Sequence, residues 1–199
     1  MARTIAKDHD QKRDRILKAA AKVFANEGFD RASMSMLARD CGISKANIYH
    51  YYDSKDAILY DILETYLRDL RDRICGIDLE GSSPADSLHR VVREILMAYQ
   101  GADDEHRVQI NGVDMLPPDQ QKVLRGYQRD MVVFLSGVIE GAAPEVFDNN
   151  AARLRGTTMS VFGMLNWYYM WQTGAGTQAR EDYARLVSDL TLNGLQGLS

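Results

Sequence analysis

Apolar residues recur every three or four positions along most of this chain, and no stretch alternates apolar and polar residues as a half-buried strand would. A first helix is predicted from about residue 10 to 27, with an inward stripe of Ile16, Ala20, Val23 and Phe24. Further helices are predicted at about 34–41, 44–52, 54–74, 83–99, 105–113, 117–140, 149–172 and 178–195. The pattern therefore predicts an all-α fold of about nine helices.

Two of the short helices follow each other closely within residues 33–52. Gly42 permits a sharp turn after the first of them, and the side chain of Ser44 can cap the second at once. Two short helices joined by about three residues form a helix-turn-helix.

The clearest break in the chain is "GIDLEGSSP", which separates a compact N-terminal part from a helical body. Residues 1–56 carry 11 Lys and Arg against 8 Asp and Glu, a net charge of +3, whereas the remainder carries 13 against 20, a net charge of −7. We expect a basic helix-turn-helix domain at 1–56 and an acidic helical domain at 57–199.

Two features concern the compartment in which the protein works. No run approaches the roughly 18 apolar residues of a membrane span, and the first residues are charged where a secretory signal would be apolar. We therefore expect a cytoplasmic protein with no membrane partner, in which Cys41 and Cys75 remain reduced thiols.

The third predicted helix has an outward face without any carboxylate. With Ile48 as the inward reference and 100° per residue, Tyr52 faces inward and Tyr51 lies to one side. The opposite arc carries Ala46, Asn47, Tyr49 and His50, with Lys45 in the first turn.

This face has the chemistry of a major-groove reader. Asn and Lys side chains bond base edges, and an alanine methyl can rest on thymine methyl groups. Lys55, at the start of the following helix, is placed to neutralise a phosphate. Aromatic residues near a helix end are also common in cores, and that interpretation suits Tyr52; it does not explain an outward face shared by Lys45, Asn47 and His50.

Residues 16–59 resemble the DNA-binding domain of TetR-family transcriptional regulators. The family pattern G-[VI]-S-K-x-x-[LI]-Y-x-[YH]-[FY]-x-x-K is matched by Gly42, Ile43, Ser44, Lys45, Ile48, Tyr49, Tyr51, Tyr52 and Lys55. The resemblance implies a homodimer whose two recognition helices enter successive major grooves of a palindromic operator, as in repressors that a small ligand releases. It implies groove contacts by Lys45, Ala46, Asn47, Tyr49 and His50, phosphate contacts by Tyr51 and Lys55, and a place for Ser44 in the same DNA-binding set.

The segment "MSVFGMLNWYYMWQTGAG", residues 159–176, is apolar nearly all round, which predicts burial on several faces. One face would form a dimer interface and another would line a pocket. Asn166 is the polar exception, and its amide would bond either a neighbouring helix or a ligand.

The same segment is similar to the ligand-binding domains of TetR-family regulators of fatty-acid, phenylacetate and steroid catabolism, which sense acyl-CoA thioesters. This similarity rests on Gly163, Asn166, Trp167, Trp171 and Gly176. An acyl group needs a dry apolar slot, and the CoA phosphates need arginines at its mouth, for which Arg93 and Arg107 are further candidates. The expected ligand-binding residues are Arg125, Arg129, Phe134, Met159, Phe162, Gly163, Asn166, Trp167, Met170 and Trp171.

Catalytic motifs are missing from the sequence. The four histidines are scattered, and neither H-E-x-x-H nor G-x-S-x-G occurs. We expect no catalytic residue, no metal and no cofactor. Two alternatives remain open: a regulator of this fold that senses a non-CoA aromatic or lipophilic effector, and a dimeric small-molecule-binding protein without a DNA function.

Overall fold

The computed structural model describes the backbone of residues 2–172 and 174–195, and the side chains of 9–172 and 174–194. This part of the chain holds ten α-helices, a short 3₁₀ helix at Val113–Met115 and no strand, which confirms the predicted all-α class. The helices are α1 (Ala2–Glu27), α2 (Met34–Cys41), α3 (Lys45–Tyr51), α4 (Lys55–Cys75), α5 (Pro84–Ala98), α6 (Asp103–Gly112), α7 (Pro118–Ala142), α8 (Pro144–Phe147), α9 (Ala151–Trp171) and α10 (Thr177–Leu195). No helix among these described residues is long and apolar enough to cross a membrane.

One helix boundary and one additional helix differ from the expectations drawn from the sequence. The first helix begins at Ala2, eight residues before the expected start, because nothing in the charged segment breaks a helix. The additional helix is α8, a single turn that begins at Pro144, where the fixed φ of proline favours the first helical position. It lies between the helices expected at about 117–140 and 149–172.

The chain forms two compact units. One contains residues up to 68 together with 102–125, and the other contains 69–101 together with the residues from 126 onward. Helix α4 contributes residues to both units, as does α7. The domain boundary at residue 56 stays a prediction.

The first unit is built around the helix-turn-helix. Helix α1 packs against α2 and α6, and α2 packs against α3. The side chain of Ser33 caps α2, and Gly42 ends it with φ of 71°, a left-handed conformation that glycine adopts without steric cost. The buried side chains at the centre of this unit include Ile16, Ala20, Phe24, Leu37, Ile48, Ile58, Leu59 and Leu63.

Helix α6 approaches α4 closely through Gly112. A Cβ atom at this position would lie 3.2 Å from the Cδ1 atoms of both Leu59 and Leu63. A side chain at residue 112 would therefore require both leucine side chains to move by a few tenths of an ångström.

In the second unit, α5 packs against α10 and α9, and α8 packs against α9. Its buried polar side chains include those of Thr158, Arg180, Ser188 and Thr191, of which Arg180 is only 2% exposed. The Arg180 guanidinium donates to the carbonyl oxygens of Leu96 and Ala175, at 3.0 and 3.2 Å, and lies 5.4 Å from the centre of the Tyr168 ring. The buried cation is thus bound to one carbonyl in the last turn of α5, where the helix dipole favours positive charge, and to another in the segment before α10.

Candidate functional site

Helix α3 is held by its two ends and by one buried side chain. The hydroxyl of Ser44 accepts a hydrogen bond of 3.1 Å from the backbone N–H of Asn47, as the sequence predicts for a cap. Ile48 is fully buried and is the buried residue of the helix.

The rest of α3 turns outward. Ser44, Lys45, Ala46, Asn47, Tyr49 and His50 are all exposed, and α3 contains no Asp or Glu. The ammonium group of Lys45 lies 5.9 Å from the centre of the Tyr49 ring, a cation–π arrangement at the surface. The structure therefore brings these predicted side chains together on one accessible, carboxylate-free face.

Tyr51 is half-buried at the edge of this face. Its ring centre lies 4.9 Å from that of His9 on α1 and 5.7 Å from that of His50. A cavity of about 60 Å³ beside Tyr51 and Asn47 is also lined by Lys12 and Arg15 of α1. The sequence analysis missed these two basic residues, although the cluster "KRDR" next to a helix-turn-helix is a signal that could have found them.

Lys55 binds the loop between α1 and α2. Its Nζ atom donates to the carbonyl oxygens of Phe29, Asp30 and Ala32, at 2.8, 3.2 and 3.4 Å, and lies 4.4 Å from the centre of the Phe29 ring. A lysine ammonium has three N–H donors, so all three have acceptors within the chain.

A second network meets at Asp61 of α4, which the sequence analysis also missed. Its carboxylate accepts the Tyr52 hydroxyl at 2.5 Å and pairs with the Arg13 guanidinium, whose Nε lies 2.9 Å from Oδ2. Burial, followed by the hydrogen bond to Asp61, raises the pKa of Tyr52 well above its usual range. A carboxylate within an apolar helical stripe was the signal that could have found it, because such residues are rarely buried without a partner.

The predicted ligand-binding residues differ in their surroundings. Phe162 is buried, and a Cβ at Gly163 would meet open space. Asn166 bonds a neighbouring helix, because its Oδ1 accepts the hydroxyl of Tyr99 at 2.6 Å.

Much of the apolar surface of α9 and α10 is exposed in the single chain. We call this set the α9/α10 surface: Met159, Trp167, Met170, Trp171, Leu186 and Leu190, each between 46% and 57% exposed. Other residues of α9 are buried within the chain, namely Val161, Phe162, Leu165, Tyr168 and Tyr169. The expected burial of the remaining face against a second copy stays a prediction.

The two predicted phosphate-binding arginines lie in different compact units. Arg125 belongs to the first unit and pairs with the exposed carboxylate of Asp114 at 2.7 Å. Arg129 belongs to the second unit, where it is exposed.

Phe134 lines an open cleft of about 450 Å³ in the second unit. The other lining residues are Leu79, Pro84, Ser87, Val133, Gly137, Val138 and Gly141. Added Cβ atoms at both glycines would meet open space, and no charged side chain lines the cleft. Its chemistry therefore suits an uncharged apolar group.

Two known families of domains match this chain. Residues 16–62 match the family described as bacterial regulatory proteins, tetR family. Residues 81–195 match the tetracyclin repressor-like C-terminal domain.

Individual relatives are transcriptional regulators as well. The chain is 26% identical to the HTH-type transcriptional repressor NicS of Pseudomonas putida, over 96% of this chain and 95% of that protein. The chain spans only 25% to 35% of the length of the first curated regulators that it matches.

Solved structures share the fold. A TetR-family transcriptional regulator from Bordetella parapertussis superposes with a TM-score of 0.84 and 32% identity, over 91% of this chain and 94% of that one. AibR, in complex with isovaleryl coenzyme A and operator DNA, superposes with a TM-score of 0.75 and 19% identity, over 90% of this chain and 97% of that one.

Proposed function

The chain belongs to the TetR family of transcriptional regulators, and on that premise we propose that it is a repressor that binds a palindromic operator as a homodimer and is released by a small hydrophobic or acyl-CoA ligand. Family membership itself gives the coarser statement: this is a transcriptional regulator with a DNA-binding and a ligand-binding domain, and not an enzyme. A regulator that binds operator DNA would act in the cytoplasm.

The observation that carries the DNA function is the outward face of α3. Five consecutive or nearly consecutive side chains, Lys45, Ala46, Asn47, Tyr49 and His50, are exposed together, and no carboxylate of α3 accompanies them. Such a helix can enter the major groove without repulsion from phosphates and can offer hydrogen-bond donors, acceptors and a methyl group to base edges.

Phosphate contacts would surround this face. Lys12 and Arg15 lie beside Asn47 and Tyr51, so α1 can neutralise phosphates next to the bases that α3 reads. Ser44 and Tyr51, at the two ends of α3, are proposed to contact the phosphate backbone of the DNA, in keeping with the family resemblance. Lys55, which the family resemblance implies as a phosphate contact, donates to carbonyl oxygens of the α1–α2 loop, and we propose that it supports the site by holding this loop.

The α9/α10 surface supports the proposed homodimer. Two tryptophans and two methionines, each about half exposed, form an apolar surface that is unusual for a protein that works as a monomer. Apposed α9 and α10 helices of two copies would remove it from water. Two-fold symmetry would then present two copies of α3 to successive grooves, about 34–36 Å apart.

The cleft around Phe134 supports an apolar effector or the acyl part of a larger one. It has the size of a small-molecule site and an uncharged lining. AibR, which shares the fold, binds isovaleryl coenzyme A. The uncharged lining favours the second candidate, a lipophilic effector without CoA, because CoA phosphates require cations that this cleft lacks. Thermal-shift screening against acyl-CoAs, fatty acids and aromatic acids separates the two candidates.

Helix α4 is the proposed link between ligand and DNA, since it contributes residues to both compact units. A ligand that favours one tilt of α4 would change the spacing of the two recognition helices in the dimer. A groove-spaced pair binds the operator and a wider pair does not.

The test is a gel-shift selection of genomic fragments, followed by titration at several salt concentrations. We expect one palindromic fragment to bind, with affinity that falls steeply with salt because phosphate contacts release counterions. His50→Ala and Tyr49→Ala are expected to abolish this binding while the dimer and ligand affinity remain. The matched control is Ile110→Ala, an equally exposed apolar residue of the same unit, which is expected to bind as the wild type does. Ligand affinity that falls together with DNA affinity would contradict the proposed division of labour, and a wild type that selects no fragment would favour the alternative without a DNA function.

A further inference from the structure

The recognition helix α3 is short and has few internal anchors. It has seven residues, so it is about 10 Å long, and Ile48 is its buried side chain. A helix of this size that pivots on one buried residue can tilt unless its ends are fixed. Base reading tolerates little tilt, because a recognition site must be held within about 0.5 Å and 10–20° of its productive geometry.

Tyr52 fixes the C-terminal end. It is the residue at which α3 stops, with extended backbone angles of −143° and 127°, and its N–H bonds the carbonyl of Ile48. Its side chain is only 9% exposed, so the ring points into the unit while the neighbouring His50 points out. The position of this buried ring and the position of the end of α3 are therefore coupled through one residue.

The Tyr52 hydroxyl is bound to α4 through Asp61. The acceptor, 2.5 Å away, is a carboxylate oxygen that also pairs with Arg13, so the bond is of the charge-assisted kind. Asp61 is itself fixed from the other side by Arg13 of α1, which also donates to the hydroxyl of Thr65 at 3.3 Å. One carboxylate thus joins α1, the end of α3 and α4.

The negative charge of Asp61 is paired within this network, which is compatible with a position near DNA phosphates. A carboxylate beside a recognition helix would ordinarily repel phosphates. Here the guanidinium of Arg13 lies against it in a bidentate pair, with side chains that are 33% and 20% exposed, and neutralises the charge locally.

We propose that Asp61 is a positioning residue for operator recognition: by holding the Tyr52 hydroxyl, it sets the angle at which α3 presents its outward face to the bases. The inference rests on the proposed DNA-binding function and adds to it a residue that touches no DNA. Its effect is on sequence discrimination, because a tilted α3 loses base contacts while the surrounding cations still meet phosphates.

The experiment compares Tyr52→Phe, Asp61→Asn and the double variant with the wild type on two DNA fragments, the selected operator and a scrambled sequence of equal length. Tyr52→Phe removes one oxygen atom and is the variant least disturbing to folding. We expect each single variant to lose about tenfold in the ratio of operator affinity to scrambled-DNA affinity, the size expected for a hydrogen bond to a charged group. Scrambled DNA should bind Tyr52→Phe as it binds the wild type, and should bind Asp61→Asn more tightly because one negative charge is lost. The double variant should be no weaker than Asp61→Asn, since both changes remove the same bond.

Two controls separate positioning from general damage. Tyr60→Phe removes a hydroxyl one residue before Asp61 and should leave both affinities unchanged, and urea unfolding midpoints identify variants that are simply less stable. Equal operator affinity in Tyr52→Phe and the wild type would overturn the inference and leave the proposed function intact. Parallel losses on operator and scrambled DNA with a lower unfolding midpoint would also overturn it. A wild type with no preference for the operator would overturn the proposed function and, with it, this inference.

Discussion

The hydroxyl of Tyr99 donates a hydrogen bond of 2.6 Å to Oδ1 of Asn166, joining the end of α5 to the middle of α9. Tyr99 is 6% exposed, and burial raises its pKa well above the usual range for tyrosine. A buried hydroxyl requires an acceptor, and the amide of Asn166 supplies one. Asn166, the polar exception in the apolar segment 159–176, therefore has a hydrogen-bond partner within its own chain.

Replacement of Asn166 by leucine is expected to destabilise the protein by about 1–3 kcal/mol, because it removes the acceptor of a buried hydroxyl. Tyr99→Phe should cost less, and the double variant should be closer to the wild type than the sum of the two single changes. Urea unfolding of the four proteins measures this coupling. Strictly additive losses would show that the bond contributes nothing beyond the two separate side chains.

The local elements could be predicted from the sequence because their signals are local. The stripe of α1, the caps at Ser33 and Ser44 and the turn at Gly42 are each set by a few neighbouring residues, and the structure has all of them. The outward face of α3 follows from one buried reference, Ile48, and a fixed rotation per residue.

The contacts that join distant segments could not be predicted in this way. Arg13 and Asp61 are 48 positions apart, and Lys55 reaches carbonyl oxygens that carry no sequence signal of their own. The exposure of Trp167 could not be predicted from hydrophobic periodicity either. An apolar residue gives the same sequence pattern whether it packs within its own chain or against another one. Asp61 is the clearest example. An acidic residue in an apolar stripe indicates that a partner exists, but the sequence does not identify that partner.

Lys45 and Lys55 are expected to differ in how their loss affects the salt dependence of operator binding. Lys45 is exposed on α3, so Lys45→Met should weaken binding and reduce the slope of log affinity against log salt by about 1. Lys55→Met should weaken binding with an unchanged slope, because its ammonium is bound to the α1–α2 loop and releases no counterion.

The slopes are measured by titration of the selected operator at four or more salt concentrations, with Lys122→Met, an exposed lysine of α7, as the matched control for loss of one charge. An equal reduction of slope for Lys45→Met and Lys55→Met would mean that Lys55 exchanges its carbonyl partners for a phosphate on binding.

Trp167→Glu is expected to convert the proposed dimer into a monomer. Trp167 is 57% exposed in the single chain, and a carboxylate within an apolar contact between two copies would have to be buried without a partner. Sedimentation velocity distinguishes the two states. Val123→Glu makes the same chemical change at an exposed apolar residue of the first unit, and it should sediment as the wild type does. A Trp167→Glu protein that stays dimeric would place the contact between copies elsewhere.

Glu105 is expected to lower stability at neutral pH. Burial, followed by repulsion from Asp104 and Asp103, raises the pKa of its carboxyl, and this outweighs the hydrogen bond to its own backbone and the attraction of Lys18. A carboxyl whose pKa is higher in the folded chain favours folding when it is protonated, below its unfolded pKa of about 4.3. That contribution is lost as the pH rises through the folded pKa, so near pH 7 the charged group costs stability.

Glu105→Gln removes this cost while keeping a similar shape and a group that can still bond the backbone at the start of α6. Its free energy of unfolding should exceed that of the wild type at about pH 7, and the difference should shrink as the pH falls towards about 3, where the wild-type carboxyl is protonated in both states. Glu145→Gln, at an exposed position on α8, is the control and should change stability by less than about 0.5 kcal/mol. A Glu105→Gln protein that is less stable than the wild type near pH 7 would mean that the attraction between a carboxylate and the N-terminus of α6 exceeds the effect of burial.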